Sequence, residues 1–357
     1  MTTSAYIHIP FCKSKCKYCS FVSYTNLDSI VGYVFSLLKD IDVNYKGELL
    51  KTLYFGGGTP SLLQIQYLKK IIDKFKIDSN SEVTIEVNPD DASLEYFKSL
   101  LDIGFNRLSL GSQTFNNDVL KFIGRRHDSE KIIEATKLAQ DAGFNNISLD
   151  LIYGLPYSNI EDDLKNIIDL EVQHISTYGL KIEEGSFFYN NLPEHLPDED
   201  EQAEMYLKIN EILAQNNYKR YEISNFAKEG FESKHNLNYW NNNEYYGFGV
   251  AAHGYVDGIR YSNYCALKDY LENPAKHEAG HLVTLEERIE EEIFLGFRRE
   301  SGINSEEFKQ KFDIDFGDKY KSIVEKYMPK YIVKTEKGFK LTTDGILLSN
   351  NILSDFI

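Results

Sequence analysis

Ala5-Tyr-Ile-His-Ile-Pro-Phe-Cys12-Lys-Ser-Lys-Cys16-Lys-Tyr-Cys19 is an apolar, β-prone run that opens directly into three cysteines spaced C-x3-C-x2-C. Three thiolates on one tight loop can each ligate one iron of a 4Fe–4S cluster and leave the fourth iron without a protein ligand. An open position is what a metal centre needs in order to bind a small molecule. The competing readings are a three-cysteine zinc knuckle and unliganded thiols. A zinc site wants a fourth ligand at close spacing, and the nearest histidine, His8, sits on the preceding strand. Lys13, Lys15 and Lys17, interleaved with the cysteines, are expected to stabilise the thiolates.

The rest of the composition narrows the setting. The chain has 357 residues, 42% hydrophobic and 26% charged, which is the balance of a folded globular protein. It carries 39 Lys and Arg against 55 Asp and Glu, a formal charge of -16, so phosphate backbones and anionic lipid are poor partners. No run approaches eighteen apolar residues, and Met1-Thr-Thr-Ser-Ala5 lacks the basic start of an export signal; a cytoplasmic location is expected. The fourth cysteine, Cys265, lies far from the loop and is expected to be a buried thiol.

Strand-like runs alternate with amphipathic stretches through the first half. The strands are expected at Ala5–Ile9, Thr52–Phe55, Glu82–Val87, Arg107–Leu110, Ile147–Ile152 and His174–Leu180. That alternation writes a parallel sheet of βαβ units, open or closed into a partial barrel. An acidic helix is expected over Asp198–Gln215, a short strand at Arg220–Ile223, and a linker over Asn273–Leu282. Beyond the linker, three helices and a hairpin outline a winged-helix module. Residues 301–357 hold nine basic and nine acidic residues, so this module offers no basic face for DNA.

Polar residues recur where the strands end. Strand two runs into Gly56-Gly57-Gly58-Thr59-Pro60, strand three contains Glu86, strand four runs into Ser112-Gln113-Thr114, and strand five carries Asp150 in an apolar run; Gly124-Arg125-Arg126-His127 follows a helix later. With the cysteine loop, these strings resemble the radical S-adenosylmethionine (SAM) superfamily, specifically the coproporphyrinogen III oxidase group. The resemblance implies an α/β fold, a partial (β/α)6 barrel followed by a small α+β winged-helix-like domain. It divides the chain into residues 1–226 (barrel and acidic helix), 227–282 and 283–357. It further implies a 4Fe–4S cluster on Cys12, Cys16 and Cys19, with SAM on the fourth iron and cleaved by one electron. Tyr6 and the backbone at Tyr18 would contact SAM or the cluster. Gly57, Gly58, Thr59 and Glu86 would hold SAM, while Gln113, Arg125 and Asp150 fall where the oxidase holds a second SAM.

Two departures separate this chain from the oxidase within that group. The oxidase carries a fourth cysteine two residues after the third, whereas Cys19-Ser20 is followed here by Phe21. The string His235-Asn-Leu-Asn-Tyr239-Trp240 resembles the HNxxYW pattern of the heme chaperone branch. That resemblance implies heme as a ligand, a heme-acceptor protein and an electron donor as partners, and transfer in place of decarboxylation of coproporphyrinogen III. His235 is the expected axial ligand, with Tyr239 and Trp240 as an apolar shelf for the porphyrin; His253 is a second candidate. The alternative for the string is a packing role at the domain junction.

Overall fold

The computed structural model describes residues 2–357. Six strands run parallel and pair in sequence order: β1 (Ser4–Ile9), β2 (Thr52–Gly57), β3 (Glu82–Val87), β4 (Arg107–Gln113), β5 (Ile147–Tyr153) and β6 (His174–Gly179). Their side chains are buried on both faces, with helices over the outer one, so the strands read as near-continuous apolar runs. The chain then returns to both edges. β7 (Lys219–Arg220) and β8 (Asn225–Ala227) add antiparallel beyond β6, and β9 (Tyr246–Phe248) adds parallel beside β1. Tyr54, Glu86, Ser109, Asp150 and Tyr178, one from each of β2 to β6, line one cavity, so the sheet curls into the incomplete barrel that the resemblance implied.

The acidic helix forms over Glu199–Gln215, started by a capping box between Asp198 and Glu201. Its Tyr206 packs into the core of the C-terminal domain. That domain holds the helices Leu285–Gly296, Ser305–Phe312, Phe316–Lys319 and Lys321–Tyr327 and a three-stranded sheet. In the sheet, β15 (Gly338–Leu341) lies between β13 (Ile303–Asn304) and β14 (Ile332–Lys334).

Three expectations are corrected. Residues 277–282 are not a linker: they form β12 (His277–Leu282), the edge of a sheet with β10 (His253–Val256) and β11 (Ile259–Asn263). Every residue of β12 is exposed, which gave it the composition of a loop. The strand expected at Arg220–Ile223 shrinks to β7 and an isolated bridge from Glu222 to Arg299. No structural break falls at residue 227, because Tyr246, Phe248 and Tyr270 belong to the barrel core.

Candidate functional site

The cysteine loop leaves β1 at the C-terminal edge of the sheet, where parallel strands of a barrel present their functional groups. Backbone bonds pin it on both sides. Cys12 N donates to the Tyr24 carbonyl at 3.0 Å, Lys17 N to that of Ile123 at 2.9 Å, and Phe188 N to that of Lys17 at 3.0 Å. Cys12, Cys16 and Cys19 are half-buried and unpaired, and all three line the same cavity of about 500 Å³. Among the described residues no three ligating side chains converge on a single ion. Three thiols lining one cavity suit a larger group that takes one thiolate at each of several metals. Burial pushes the Cys12 and Cys19 thiols up, so iron binding here displaces protons.

Positive charge also reaches the thiols from an unexpected direction. Lys13 pairs with Asp91 at 2.6 Å, Lys15 donates to the Gly185 carbonyl at 3.3 Å, and Lys17 lies over the Phe122 ring at 5.3 Å. These contacts anchor the loop, and Lys15 also favours the Cys19 thiolate. Arg125 instead reaches Cys16 Sγ at 3.7 Å, braced by Asn88 Oδ1 at 2.6 Å and the Gly111 carbonyl at 2.7 Å. Thr59 Oγ1 donates to Cys12 Sγ at 3.5 Å.

Around the thiols the cavity is lined by Tyr18, Gly57, Gly58, Thr59, Glu86, Gln113, Arg125 and Asp150. The glycines have a packing reason of their own. A Cβ on Gly58 would lie 2.8 Å from the Phe11 carbonyl oxygen, and one on Gly57, at φ 111°, would lie 2.4 Å from the His8 ring. Glu86 accepts from Tyr54 Oη at 2.8 Å and from Gly57 N at 3.0 Å; desolvation raises its carboxyl to about 7. Asp150 accepts from Ser109 Oγ at 2.9 Å, and desolvation raises it too. Gln113 enters through an irregularity: the β4–β5 register shifts between Gly111 and Gln113, and Gln113 takes φ 68°. A bulge re-aims a strand residue in this way.

Tyr6 lies beside this cavity, near Glu86. Its ring stacks on Tyr54 at 6.1 Å, its hydroxyl bonds His8 Nδ1 at 3.0 Å, and it lines a second, neighbouring cavity. His235 is 2% exposed, with Nδ1 bonded to Thr52 Oγ1 at 2.8 Å and Nε2 to Tyr239 Oη at 2.8 Å. Both ring nitrogens are engaged by hydroxyls, an arrangement that fits the packing alternative for the string. Glu82 accepts from the backbone N–H of Lys234 and His235 at 3.1 and 3.0 Å. Thr52 and Glu82 begin β2 and β3, so the helix Lys234–Trp240 is fastened at the end of the barrel opposite the cysteine loop. Tyr239 bonds this imidazole and turns edge-on to Tyr245, and Trp240 is half-buried. Sequence reasoning missed Asn88, Tyr54 and Tyr178, whose side chains carry no pattern of their own. It also took Cys265 for a buried thiol, whereas it is exposed.

Residues 6–170 match the model of the radical SAM superfamily, and residues 283–348 match that of the HemN C-terminal domain. A protein of Lactococcus lactis named heme chaperone HemW is 39% identical, covering 99% of this chain and 97% of its own. The chain belongs to the HemW family. The HemW of Bacillus subtilis is likewise 39% identical, with 99% of both chains covered. The solved structure of the coproporphyrinogen III oxidase HemN from Escherichia coli covers 99% of this chain and 90% of its own, with a TM-score of 0.87 at 24% identity. That match shows the shared fold of HemW and HemN. As radical SAM proteins, members of the HemW family are built around a 4Fe–4S cluster and SAM, and the donor set in the cavity fits both. Among the described residues no helix is long and apolar enough to cross a membrane.

Proposed function

We propose that this protein binds heme and passes it to an acceptor protein, with the 4Fe–4S cluster and SAM governing the transfer. The observation that carries the reading is the identity of 39% along 99% of the chain to proteins named heme chaperone HemW. The absence of a cysteine at Phe21 supports it against the oxidase. In this reading Cys12, Cys16 and Cys19 ligate the cluster, which with SAM on its open iron supplies one-electron reducing chemistry. Arg125 offsets the charge on Cys16, and Thr59 donates to Cys12, so both hold the thiolates against the desolvation that opposes them. The backbone of Gly57, Gly58 and Thr59 and the carboxyl of Glu86 would hold SAM, while Gln113, Arg125 and Asp150, which line the same cavity, would be available to a second SAM. Desolvation raises the Glu86 carboxyl to about 7, and a cationic partner beside it would favour its ionised form. The electron donor and the acceptor protein complete the set of partners.

The rival is oxygen-independent decarboxylation of two propionates of coproporphyrinogen III. Supplying the cluster-reconstituted protein with coproporphyrinogen III, SAM and a reductant without oxygen separates the two. Intact propionates are expected; conversion to protoporphyrinogen IX would establish the oxidase.

A further inference from the structure

The cavity that Tyr6 lines is the larger of the two, about 940 Å³, and opens between the β1–β9 edge of the barrel and the helix Leu285–Gly296. Ser20 and Phe21 line both cavities, so the stretch just after Cys19 is their common wall. Phe21 is 65% exposed, an apolar ring without cover. Tyr245, Phe294 and Leu295 line the same cavity. Apolar walls with a few polar groups, in a volume of this order, describe a site for a cofactor-sized ligand.

Two histidines reach this space. His8 has both ring nitrogens engaged, by Tyr6 Oη at 3.0 Å and by the Val22 carbonyl at 3.1 Å. His253 begins β10, is exposed, and among the described residues its ring makes no hydrogen bond. Its place is set by the strained turn before it, where Ala251 takes φ 56°, a region that alanine seldom enters. Two arginines reach the same space. Arg260 is held by Glu291 through two bonds at 2.8 and 2.7 Å, so its charge is balanced. Arg298 lies over the Phe294 ring at 4.7 Å and donates to Asn350 Oδ1 at 3.0 Å and to the Phe294 carbonyl at 3.5 Å; among the described residues it has no carboxylate partner. An unengaged imidazole, an unbalanced guanidinium and aromatic walls are what an iron porphyrin with anionic propionates requires.

We propose that this cavity is the heme site, with His253 as an axial ligand to iron and Arg298 on a propionate, beside the wall it shares with the cysteine loop. The proposal rests on the heme-binding reading above and gives it a place. Cys265 lines the same cavity and is the competing ligand.

The test titrates the full-length, cluster-reconstituted protein with hemin and, separately, with metal-free protoporphyrin IX. His253→Ala is expected to raise the hemin Kd about tenfold or more and to move the Soret band, while protoporphyrin IX binds as before because it has no iron to ligate. His253→Tyr should restore hemin affinity with a phenolate-type spectrum, Arg298→Gln should weaken both porphyrins, and Cys265→Ala should change neither. Iron–sulfur absorption and circular dichroism, unchanged throughout, report that the variants fold. Wild-type affinity and Soret position in His253→Ala, or a shift caused by Cys265→Ala instead, would overturn the proposal. A wild-type protein that binds neither porphyrin would overturn the heme reading itself.

Discussion

Replacing His235 by alanine is expected to weaken the fold and leave heme binding intact. The substitution strips Thr52 Oγ1 and Tyr239 Oη of their partner and removes a ring stacked on Tyr54 at 5.0 Å. Two buried hydroxyls left unsatisfied cost about 1 to 3 kcal/mol each, and the vacated imidazole adds a cavity penalty, for a total on the order of 4 kcal/mol. In a chain of this size that lowers Tm by roughly 10 °C, read by thermal denaturation under anaerobic conditions. The pH dependence gives a second signature. Burial pushes the His235 imidazole from 6.5 down to about 3, so below pH 6.5 the unfolded chain binds a proton that the folded chain refuses. His235 therefore supports stability above pH 6.5, and that support fades at about 1.4 kcal/mol per pH unit as pH falls toward the folded value. The stability gap between wild type and His235→Gln should narrow over that range. An unchanged Tm together with a lost Soret band would refute this reasoning and restore the imidazole as a heme ligand.

Other consequences follow from the same geometry. Cys12→Ala, Cys16→Ala and Cys19→Ala should each abolish the 4Fe–4S absorption after anaerobic reconstitution, and Cys265→Ala should leave it intact; iron and sulfide analysis decides. Gly58→Ala places a Cβ 2.8 Å from the Phe11 carbonyl oxygen and 2.9 Å from that of Ile9, so it should displace the start of the cysteine loop and lower cluster content while the far-UV circular dichroism is preserved. Asp40 accepts from Tyr270 Oη at 2.8 Å and Gly249 N at 3.1 Å, and burial raises its carboxyl from 3.8 to about 6. Its folded value exceeds its unfolded one, so its stabilising contribution is full below pH 3.8 and is lost as pH rises through 6. Asp40→Asn should remove that decline from denaturation curves measured across the interval.

The barrel was legible because each parallel strand is a short apolar run separated from the next by an amphipathic helix, and the cysteine spacing marked its functional end. The cavity residues were legible as polar letters, Glu86 and Gln113 towards strand ends, Asp150 within an apolar strand and Arg125 just after a helix, and all four line it. What the letters could not carry was direction. His235 in an aromatic string reads as a ligand, yet its ring turns inward to Thr52, a contact across 183 positions that no local pattern encodes. Lys13, Lys15 and Lys17 sit among the cysteines in sequence but reach Asp91, Gly185 and Phe122, because a tight loop sends alternate side chains outward. The edge strand β12, wholly exposed, has no apolar face to give it a period.

The central claim, heme carriage on a radical SAM scaffold, is tested most directly by gel filtration of the cluster-reconstituted protein after incubation with excess hemin, with heme and non-heme iron measured in the protein peak. The account predicts equimolar heme retained alongside one intact 4Fe–4S cluster per chain. Heme washed out to substoichiometric traces, or retained only at the expense of the cluster iron, would contradict it.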